Sequence, residues 1–256
     1  MTSEARRLEY LAALGIDVFT PRTAAFETTG AESSLEVSLD GSLDGSKEGP
    51  ATRPEAHASV SQQSGPPTES LDWPELEARV AGCTLCSLHQ GRTQTVFGVG
   101  SRTADWMIVG EAPGAEEDRR GEPFVGRAGK LLDEMLRAIG LSRETVFIAN
   151  ILKCRPPNNR DPAAAEALAC RPYLDRQIEL VQPRLILAVG RIAAQQLLGS
   201  DETVGRLRGR IHLLHKSEIP VVVTYHPAYL LRTPGQKREA WKDLCLARQA
   251  IGAPAT

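Results

Sequence analysis

The middle of the chain carries the run Trp106-Met107-Ile108-Val109-Gly110, which leads directly into Glu111-Ala112-Pro113-Gly114. Five uncharged residues followed by a Gly/Pro turn are typical of a buried strand that ends at a polar loop. Three further apolar runs, at Val146–Leu152, Leu185–Val189 and Pro220–Tyr225, have the same character. Near-continuous apolar strands indicate a parallel sheet that is covered on both faces.

Helical patterns separate these strands. A first helix is predicted to begin after Asp72, a good capping residue, and to end at Gly82. Four later segments repeat apolar residues at helical spacing: Lys130–Ile139, Ala163–Val181, Ile192–Leu198 and Glu239–Ile251. Strands that alternate with helices predict an α/β fold.

Composition divides the chain of 256 residues, 41% of them hydrophobic, into three parts. Residues 24–70 are rich in Ser, Thr, Gly, Pro and Glu, with eight acidic residues against two basic ones, and are predicted to be a disordered acidic linker. Residues 1–23 form a short leader with one possible helix, and residues 71–252 form the mildly basic folded domain. Neither a secretory signal nor an apolar run of about 18 residues is present, so we expect a cytoplasmic protein, located at the bacterial nucleoid.

The five cysteines are Cys83, Cys86, Cys154, Cys170 and Cys245. Without a secretory signal they favour thiol chemistry or metal ligation over a disulfide framework. Cys83 and Cys86 form a closely spaced pair after a helix, where a redox pair would normally begin one, and Cys154 and Cys170 complete a set of four. Four thiolates suit either a tetrahedral zinc ion or an iron–sulphur cubane, and the spacing does not choose between them. Cys245 is expected to be a buried spectator on the last helix.

Polar segments follow the predicted strand ends. Because ligands bind beyond the carboxyl ends of parallel strands, Glu111, Asn150 and His226 are expected to share one pocket. Glycines around Phe124 would let the backbone approach a ligand closely. The four segments are Gly110-Glu111-Ala112-Pro113-Gly114, Pro123-Phe124-Val125-Gly126-Arg127-Ala128-Gly129, Asn150-Ile151-Leu152-Lys153-Cys154-Arg155-Pro156-Pro157-Asn158-Asn159-Arg160 and His226-Pro227-Ala228-Tyr229-Leu230-Leu231-Arg232.

In this order, these segments resemble the family 4 uracil-DNA glycosylases, the iron–sulphur branch of the uracil-DNA glycosylase superfamily. The resemblance extends from about Trp73 to the last helix and does not include residues 24–70. It implies a three-layer α/β/α sandwich around a four-stranded parallel sheet, in agreement with the four predicted strands. It also implies a [4Fe–4S] cluster in place of zinc, with the ligands Cys83, Cys86, Cys154 and Cys170.

The function implied by the resemblance is DNA repair: the enzyme turns uracil out of the helix and hydrolyses its N-glycosidic bond, leaving an abasic site. Phe124 corresponds to the residue that stacks on uracil, and Asn150 to the residue that recognises its edge. Gly110 is a further substrate-binding candidate at a strand end. His226 corresponds to the histidine that donates a hydrogen bond to uracil O2 as negative charge develops there.

The loop after the catalytic histidine holds the duplex open in this family. The corresponding wedge candidates, with Arg232 near the DNA backbone, are Tyr229, Leu230, Leu231 and Arg232. The alternative for each leucine is that it packs in the core.

The residue that positions the attacking water is less clearly marked. Other branches of the superfamily place an aspartate one position after the residue matching Glu111, and this chain has Ala112 there. The remaining candidates are Glu111 and Asn159, acting through positioning, and we favour Glu111.

The expected partner is uracil-containing DNA, single or double stranded, with no membrane and with the protein as a monomer. Two other classes compete with the enzyme: a non-catalytic iron–sulphur or zinc DNA-binding module, and an electron-transfer protein. The complete set of pocket residues favours the enzyme.

Overall fold

The computed structural model describes residues 67–215 and 217–252. Its centre is a six-stranded sheet with the strand order β1-β3-β2-β4-β6-β5. The strands are β1 Val99–Gly100, β2 Trp106–Gly110, β3 Phe147–Asn150, β4 Leu185–Val189, β5 Ile211–Leu213 and β6 Pro220–Thr224.

The prediction of a four-stranded parallel sheet is wrong, because the sheet is mixed. The four central strands β3, β2, β4 and β6 are the predicted ones and are parallel, but β1 and β5 add antiparallel edges. The edge strands have only two and three residues, and β5 exposes Ile211 and Leu213. Neither therefore has the continuous apolar run that marks a strand buried on both faces.

Eight α-helices surround the sheet in the described part of the chain. The first begins after Asp72, whose carboxylate accepts from the Glu75 N–H at 3.0 Å, and it ends before Gly82, as predicted. The helices are α1 Trp73–Ala81, α2 Ala115–Arg120, α3 Arg127–Ala138, α4 Ala164–Val181, α5 Arg191–Leu198, α6 Val204–Leu207, α7 Pro227–Arg232 and α8 Lys237–Gly252.

Each face of the sheet has its own hydrophobic core. Along β2, Ile108 points into a core formed with α3, α7 and α8, while Met107 and Val109 point into a core formed with α4, α5 and α6. Burial on both faces explains why the central strands lack polar alternation. A third, smaller core joins α1 to α4 through Leu76 and Tyr173 and includes three of the cysteines.

The predicted leader, residues 1–23, and most of the predicted linker, residues 24–66, lie outside the described residues. The linker's last residues are described, and Thr68–Ser70 form one turn of 3-10 helix before α1. Among the helices that the structure describes, none is long and apolar enough to cross a membrane.

Candidate active site and cysteine cavity

A cleft of about 470 Å³ opens at the carboxyl ends of the parallel strands. Its walls come from the residues that end or follow β2, β3 and β6, and these include Glu111, Asn150 and His226. The predicted shared pocket is therefore confirmed. Its volume lies in the range of pockets that bind small ligands, about 300–1,000 Å³.

The floor of the cleft is formed by two lining residues, Asn150 and Phe124, together with Gly110, which lies against both but does not itself line the cleft. A Cβ atom on Gly110 would lie 2.4 Å from Asn150 Oδ1 and 2.5 Å from Phe124 Cζ, so no side chain fits at residue 110. Asn150 is 2% exposed, and its Oδ1 has no hydrogen-bond partner. Since a buried unpaired carbonyl is unfavourable by about 1–3 kcal/mol, this oxygen is suited to a donor brought by a ligand.

The Phe124 ring is held in place by its loop. Phe124 has a left-handed backbone with φ 55°, an uncommon conformation for a residue with a side chain. The Glu117 carboxylate accepts from the N–H groups of Val125 and Gly126 at 3.0 and 3.1 Å. From the other side, the Arg143 guanidinium donates to the Phe124 carbonyl at 3.1 Å. The aromatic ring is thus presented to the cleft by a fixed backbone.

His226 caps helix α7 and is held as one tautomer. Its Nδ1 accepts from the Ala228 N–H at 3.1 Å, so the ring proton of the neutral form lies on Nε2. Burial and the nearby Arg232 lower the pKa of His226 to about 4, against a smaller opposing effect of Glu117. The ring lies nearly parallel to Phe124, with 5.6 Å between centroids. At neutral pH this histidine is therefore an uncharged donor.

The two candidates for positioning water differ in their surroundings. Burial raises the pKa of Glu111, and Asp161 raises it further while Arg191 opposes the effect. Asn159 also lines the cleft, but its Oδ1 accepts from Arg155 Nε at 2.8 Å. Asp161 lies in the same cleft and was not anticipated from the sequence, where it is one acid in a proline-rich connection.

The four wedge candidates do not share one environment. Leu230 is fully buried in the core beside α3 and α8, so its prediction as a wedge is wrong and the alternative of core packing holds. Leu231 is 38% exposed. Tyr229 and Arg232 line the cleft. Helical geometry explains the difference, because adjacent residues of α7 point in different directions.

A second cavity lies beside the end of β3 and is lined by Cys83, Cys86, Cys154 and Cys170 together. Cys245 does not line it and is half-buried on α8, where the sequence predicted burial. Within the described residues, no group of three or more His, Cys, Asp or Glu side chains is arranged to hold a single metal ion. The four thiols nevertheless converge on one space from the connection after α1, the connection after β3, and α4.

Two of the four sulphurs accept a hydrogen bond from the protein. The Arg92 guanidinium donates to Cys154 Sγ at 3.1 Å, and the Lys153 N–H donates to Cys170 Sγ at 3.3 Å. Donors of this kind are typical around the thiolates of an iron–sulphur cluster, whose properties they adjust. At the other two cysteines, burial raises the pKa of the Tyr173 hydroxyl and the neighbouring Cys83 raises it further, while the Leu88 backbone lowers the pKa of Cys86 against the larger effect of burial.

Burial raises the pKa of Cys86 and Cys154, and it raises the pKa of Cys170 to about 12. Redox-active cysteine pairs have the opposite property, a pKa below the ordinary value. The cavity therefore does not resemble the site of a thiol–disulfide oxidoreductase.

Lys153 lies between the two sites and is itself buried, with 1% of its surface exposed. Its ammonium donates to the Asn150 carbonyl at 2.9 Å and to Gln177 Oε1 at 2.6 Å. Burial lowers the pKa of Lys153 to about 8. Its position within an apolar run, after Ile151 and Leu152, is the only signal in the sequence that the lysine is buried.

A cleft for a small ligand at the strand ends of an α/β sheet, together with a cavity lined by four thiols, can be compared with known protein families. The family model described as the uracil DNA glycosylase superfamily matches residues 97–248. The chain is 45% identical over 181 residues to the type-4 uracil-DNA glycosylase of Archaeoglobus fulgidus, covering 68% of this chain and 90% of that protein. It is 47% identical over 159 residues to the type-4 uracil-DNA glycosylase of Thermotoga maritima, covering 61% and 82%.

Similarity to another branch is weaker. The type-5 uracil-DNA glycosylase of Pyrobaculum aerophilum is 32% identical over 149 residues, covering 51% of this chain and 64% of that protein. The chain therefore belongs to the uracil DNA glycosylase superfamily, in its type-4 branch.

Proposed function

We propose that the chain excises uracil from DNA by using the cleft residues to recognise the base, stabilise the leaving group and place the attacking water. We also propose that it holds an iron–sulphur cluster in the cysteine cavity. Family membership carries the activity: the chain is a uracil-DNA glycosylase, a hydrolase of N-glycosyl bonds that acts in DNA repair. The observation that supports the site best is the unpartnered Oδ1 of Asn150, buried on the cleft floor beside Phe124.

Base recognition is assigned to Asn150 and Phe124. The Asn150 amide accepts from uracil N3–H and donates to O4, which completes the missing hydrogen bond. Cytosine reverses both polarities and would leave buried groups unpaired, so it is rejected. Stacking on the Phe124 ring contributes about 1–3 kcal/mol. Gly110 keeps the floor open, since a side chain there would occupy the space next to Asn150 Oδ1.

His226 is assigned to the leaving group. As the C1′–N1 bond breaks, its electron pair moves to the uracil ring, and negative charge accumulates on O2. The neutral Nε2–H of His226 donates to this oxygen, and the Ala228 N–H holds the ring in the required tautomer. A preorganised donor of this kind typically contributes about 3–4 kcal/mol of transition-state stabilisation.

Water completes the reaction at C1′. One water oxygen bonds to C1′, the bond to N1 breaks, and a water proton passes to solvent or to Glu111, while the uracil anion leaves and is protonated. Glu111 is favoured over Asn159 for placing this water, because the Asn159 amide oxygen already accepts from Arg155. Burial beside Asp161 makes Glu111 easier to protonate than an ordinary glutamate, which suits an acceptor of that proton.

The cysteine cavity is assigned to a [4Fe–4S] cluster held by Cys83, Cys86, Cys154 and Cys170. The donor set fits such a group, because four thiols converge on one cavity and the Cys154 and Cys170 sulphurs accept hydrogen bonds from the Arg92 guanidinium and the Lys153 N–H. When bound, the cluster would supply a rigid cross-link between the connection after α1, the connection after β3, and α4. Arg92 would place a positive charge beside an anionic cluster, and it also donates to the Cys83 carbonyl at 2.9 Å.

We propose that the cleft residue Arg232 and its exposed neighbour Leu231 meet the DNA, in either single or double strands. We further propose a monomeric protein of the cytoplasm, in which residues 71–252 are the catalytic domain and residues 1–70 are a leader and linker.

The test is excision from a uracil-bearing oligonucleotide by the purified full chain, followed by alkaline cleavage of abasic sites. Strand cleavage at uracil and none at a matched cytosine is expected. Iron and sulphide analysis of the same sample should give four of each per chain. A protein that carries the cluster but leaves the uracil strand intact would be a non-catalytic module, and the proposal would fail.

A further inference from the structure

A single buried residue, Lys153, contacts both sites of the molecule. Its backbone N–H donates to Cys170 Sγ at 3.3 Å, and its side chain lines the cysteine cavity. Its ammonium donates to the Asn150 carbonyl at 2.9 Å, and Asn150 forms the floor of the cleft. No other residue is needed to connect the two sites.

The far end of the lysine is fixed by a second buried residue. Gln177 on α4 accepts from the ammonium at 2.6 Å through Oε1, and its Nε2 donates to the Phe97 carbonyl at 2.9 Å. Gln177 is fully buried and Lys153 is 1% exposed, so water does not replace these hydrogen bonds. The ammonium therefore holds the end of β3 against α4, the helix that also carries Cys170.

The hydrogen bond from Lys153 to the Asn150 backbone carbonyl matters because the side-chain Oδ1 of Asn150 has no hydrogen-bond partner. With Oδ1 unpartnered, the direction of the amide depends on the backbone of residue 150. The Lys153 ammonium fixes the carbonyl of that backbone, whereas the floor residues Gly110 and Phe124 restrict the side chain only by contact. A small shift at the carbonyl would therefore be passed to the amide group.

We infer that Lys153 is a positioning residue that couples the cysteine cavity to base recognition, so that occupancy of the cavity and affinity for uracil in the cleft support one another. The inference rests on the proposed base-recognising role of Asn150 and on the proposed cluster. A buried methionine or leucine would fill the same space without the unfavourable transfer of a charge from water, so packing alone does not account for a lysine here. Coupling between two sites is reciprocal, which makes it measurable from either end.

The first measurement is the inhibition constant of free uracil for the cluster-loaded full chain. Lys153→Met keeps an unbranched apolar side chain of nearly the same length and removes the ammonium donor. We expect a rise of about five- to tenfold in the inhibition constant, together with a similar rise in KM and a smaller change in kcat. Lys237→Met is the matched control, because Lys237 is also buried but lines neither site, and it should leave the constant unchanged.

The second measurement starts from the cluster. Iron release to a chelator is followed with and without saturating uracil. In the unmodified chain we expect uracil to slow the release at least about threefold, and in Lys153→Met we expect no effect of uracil. This readout depends on coupling and not on the rate of excision.

The outcomes separate the inference from the function on which it rests. If the unmodified chain neither excises nor binds uracil, the proposed function fails. If it does both, but Lys153→Met has the unmodified inhibition constant, or uracil protects the cluster equally in both proteins, the coupling role is overturned. Should Lys153→Met not fold, Gln177→Met releases the ammonium from its second acceptor without touching a cysteine. It should raise the inhibition constant about threefold, and no rise would equally contradict the inference.

Discussion

The cleft and the cysteine cavity lie on either side of the same strand end, yet they differ in how their polar atoms are satisfied. In the cavity, Cys154 Sγ already accepts from Arg92 and Cys170 Sγ already accepts from the Lys153 N–H. In the cleft, Asn150 Oδ1 is buried without a partner and the Nε2–H of His226 points away from its cap. A site whose groups are satisfied internally is suited to holding a permanent group, while unsatisfied groups are suited to a ligand that comes and goes.

The largest effect is expected from a substitution of Asn150, the cleft residue with the unpartnered oxygen. Asn150→Asp retains the shape but cannot donate to O4 of uracil, and it places a buried carboxylate there. We expect kcat/KM for uracil excision to fall about 10³-fold, measured under single-turnover conditions.

The control for this change is Asn158→Asp, which alters a nearby exposed asparagine that does not line the cleft and should retain full activity. A loss below tenfold in Asn150→Asp would mean that the Asn150 amide does not recognise the base.

Removing the donor at His226 should have the next largest effect. His226→Ala is expected to lower kcat about 10²–10³-fold with little change in KM, because the interaction strengthens only as charge develops. His212→Ala, on the edge strand β5 and outside the cleft, is the control. Equal losses in kcat and in affinity for free uracil would contradict a role confined to the transition state.

The pH dependence tests the neutral state of the same histidine. The folded-state pKa of about 4 lies below the ordinary 6.5, so the unfolded chain binds a proton first as the pH falls. His226 should therefore cause no inflection in kcat between about pH 6 and 8, while the unmodified chain loses stability below about pH 6.5 relative to His226→Gln. Denaturant unfolding of both proteins across this range gives the comparison. If kcat instead rose with an apparent pKa near 6.5 in the unmodified chain, and not in His226→Gln, His226 would have the pKa of a solvent-exposed histidine.

Disturbing the cavity should act mainly on stability. Cys170→Ser is expected to lose the visible absorption of the cluster and to lower the Tm by about 10 °C, since cofactor binding is part of the folding free energy. Activity per folded molecule should fall by no more than about tenfold. Cys245→Ser, outside the cavity, should keep both the absorption and the Tm. If folded Cys170→Ser protein had lost uracil excision completely, the cavity would be required for catalysis and not mainly for stability.

The smallest effect on activity is expected at Leu231, and its neighbour Leu230 should affect stability instead. Leu231→Ala should lower excision from duplex DNA about fivefold and leave single-stranded substrate unaffected, because flipping a base from a duplex requires a few kcal/mol of unstacking. Leu230→Ala should instead reduce the free energy of unfolding by about 2–5 kcal/mol, as expected for a buried leucine. A similar substrate profile for the two variants would place the wedge elsewhere.

The sequence predicted the features that depend on residues close together in the chain. β2 and β4 have the predicted bounds, and α1 has the predicted cap, because continuous apolar runs and capping residues are local signals. The edge strands β1 and β5 were missed, since two or three residues at a sheet edge carry no such signal.

The site followed the same rule. The pocket formed by Glu111, Asn150 and His226 was predictable because each residue follows a strand end. The contacts of Arg92 and Lys153 were not, because they join residues far apart in the chain or depend on burial. Leu230 and Leu231 could not be separated, because which of two adjacent helical residues faces the core depends on how α7 is docked.

The short connection between the end of β3 and the cysteine cavity has a consequence for how this protein can diverge. Only three residues separate Asn150, which ends the strand, from Cys154 in the cavity. An insertion of a single residue there would rotate one site away from its surroundings, and a deletion would pull one out of reach. The two sites are therefore expected to change together during evolution, and variation in length is expected in other connections, such as the one between β5 and β6.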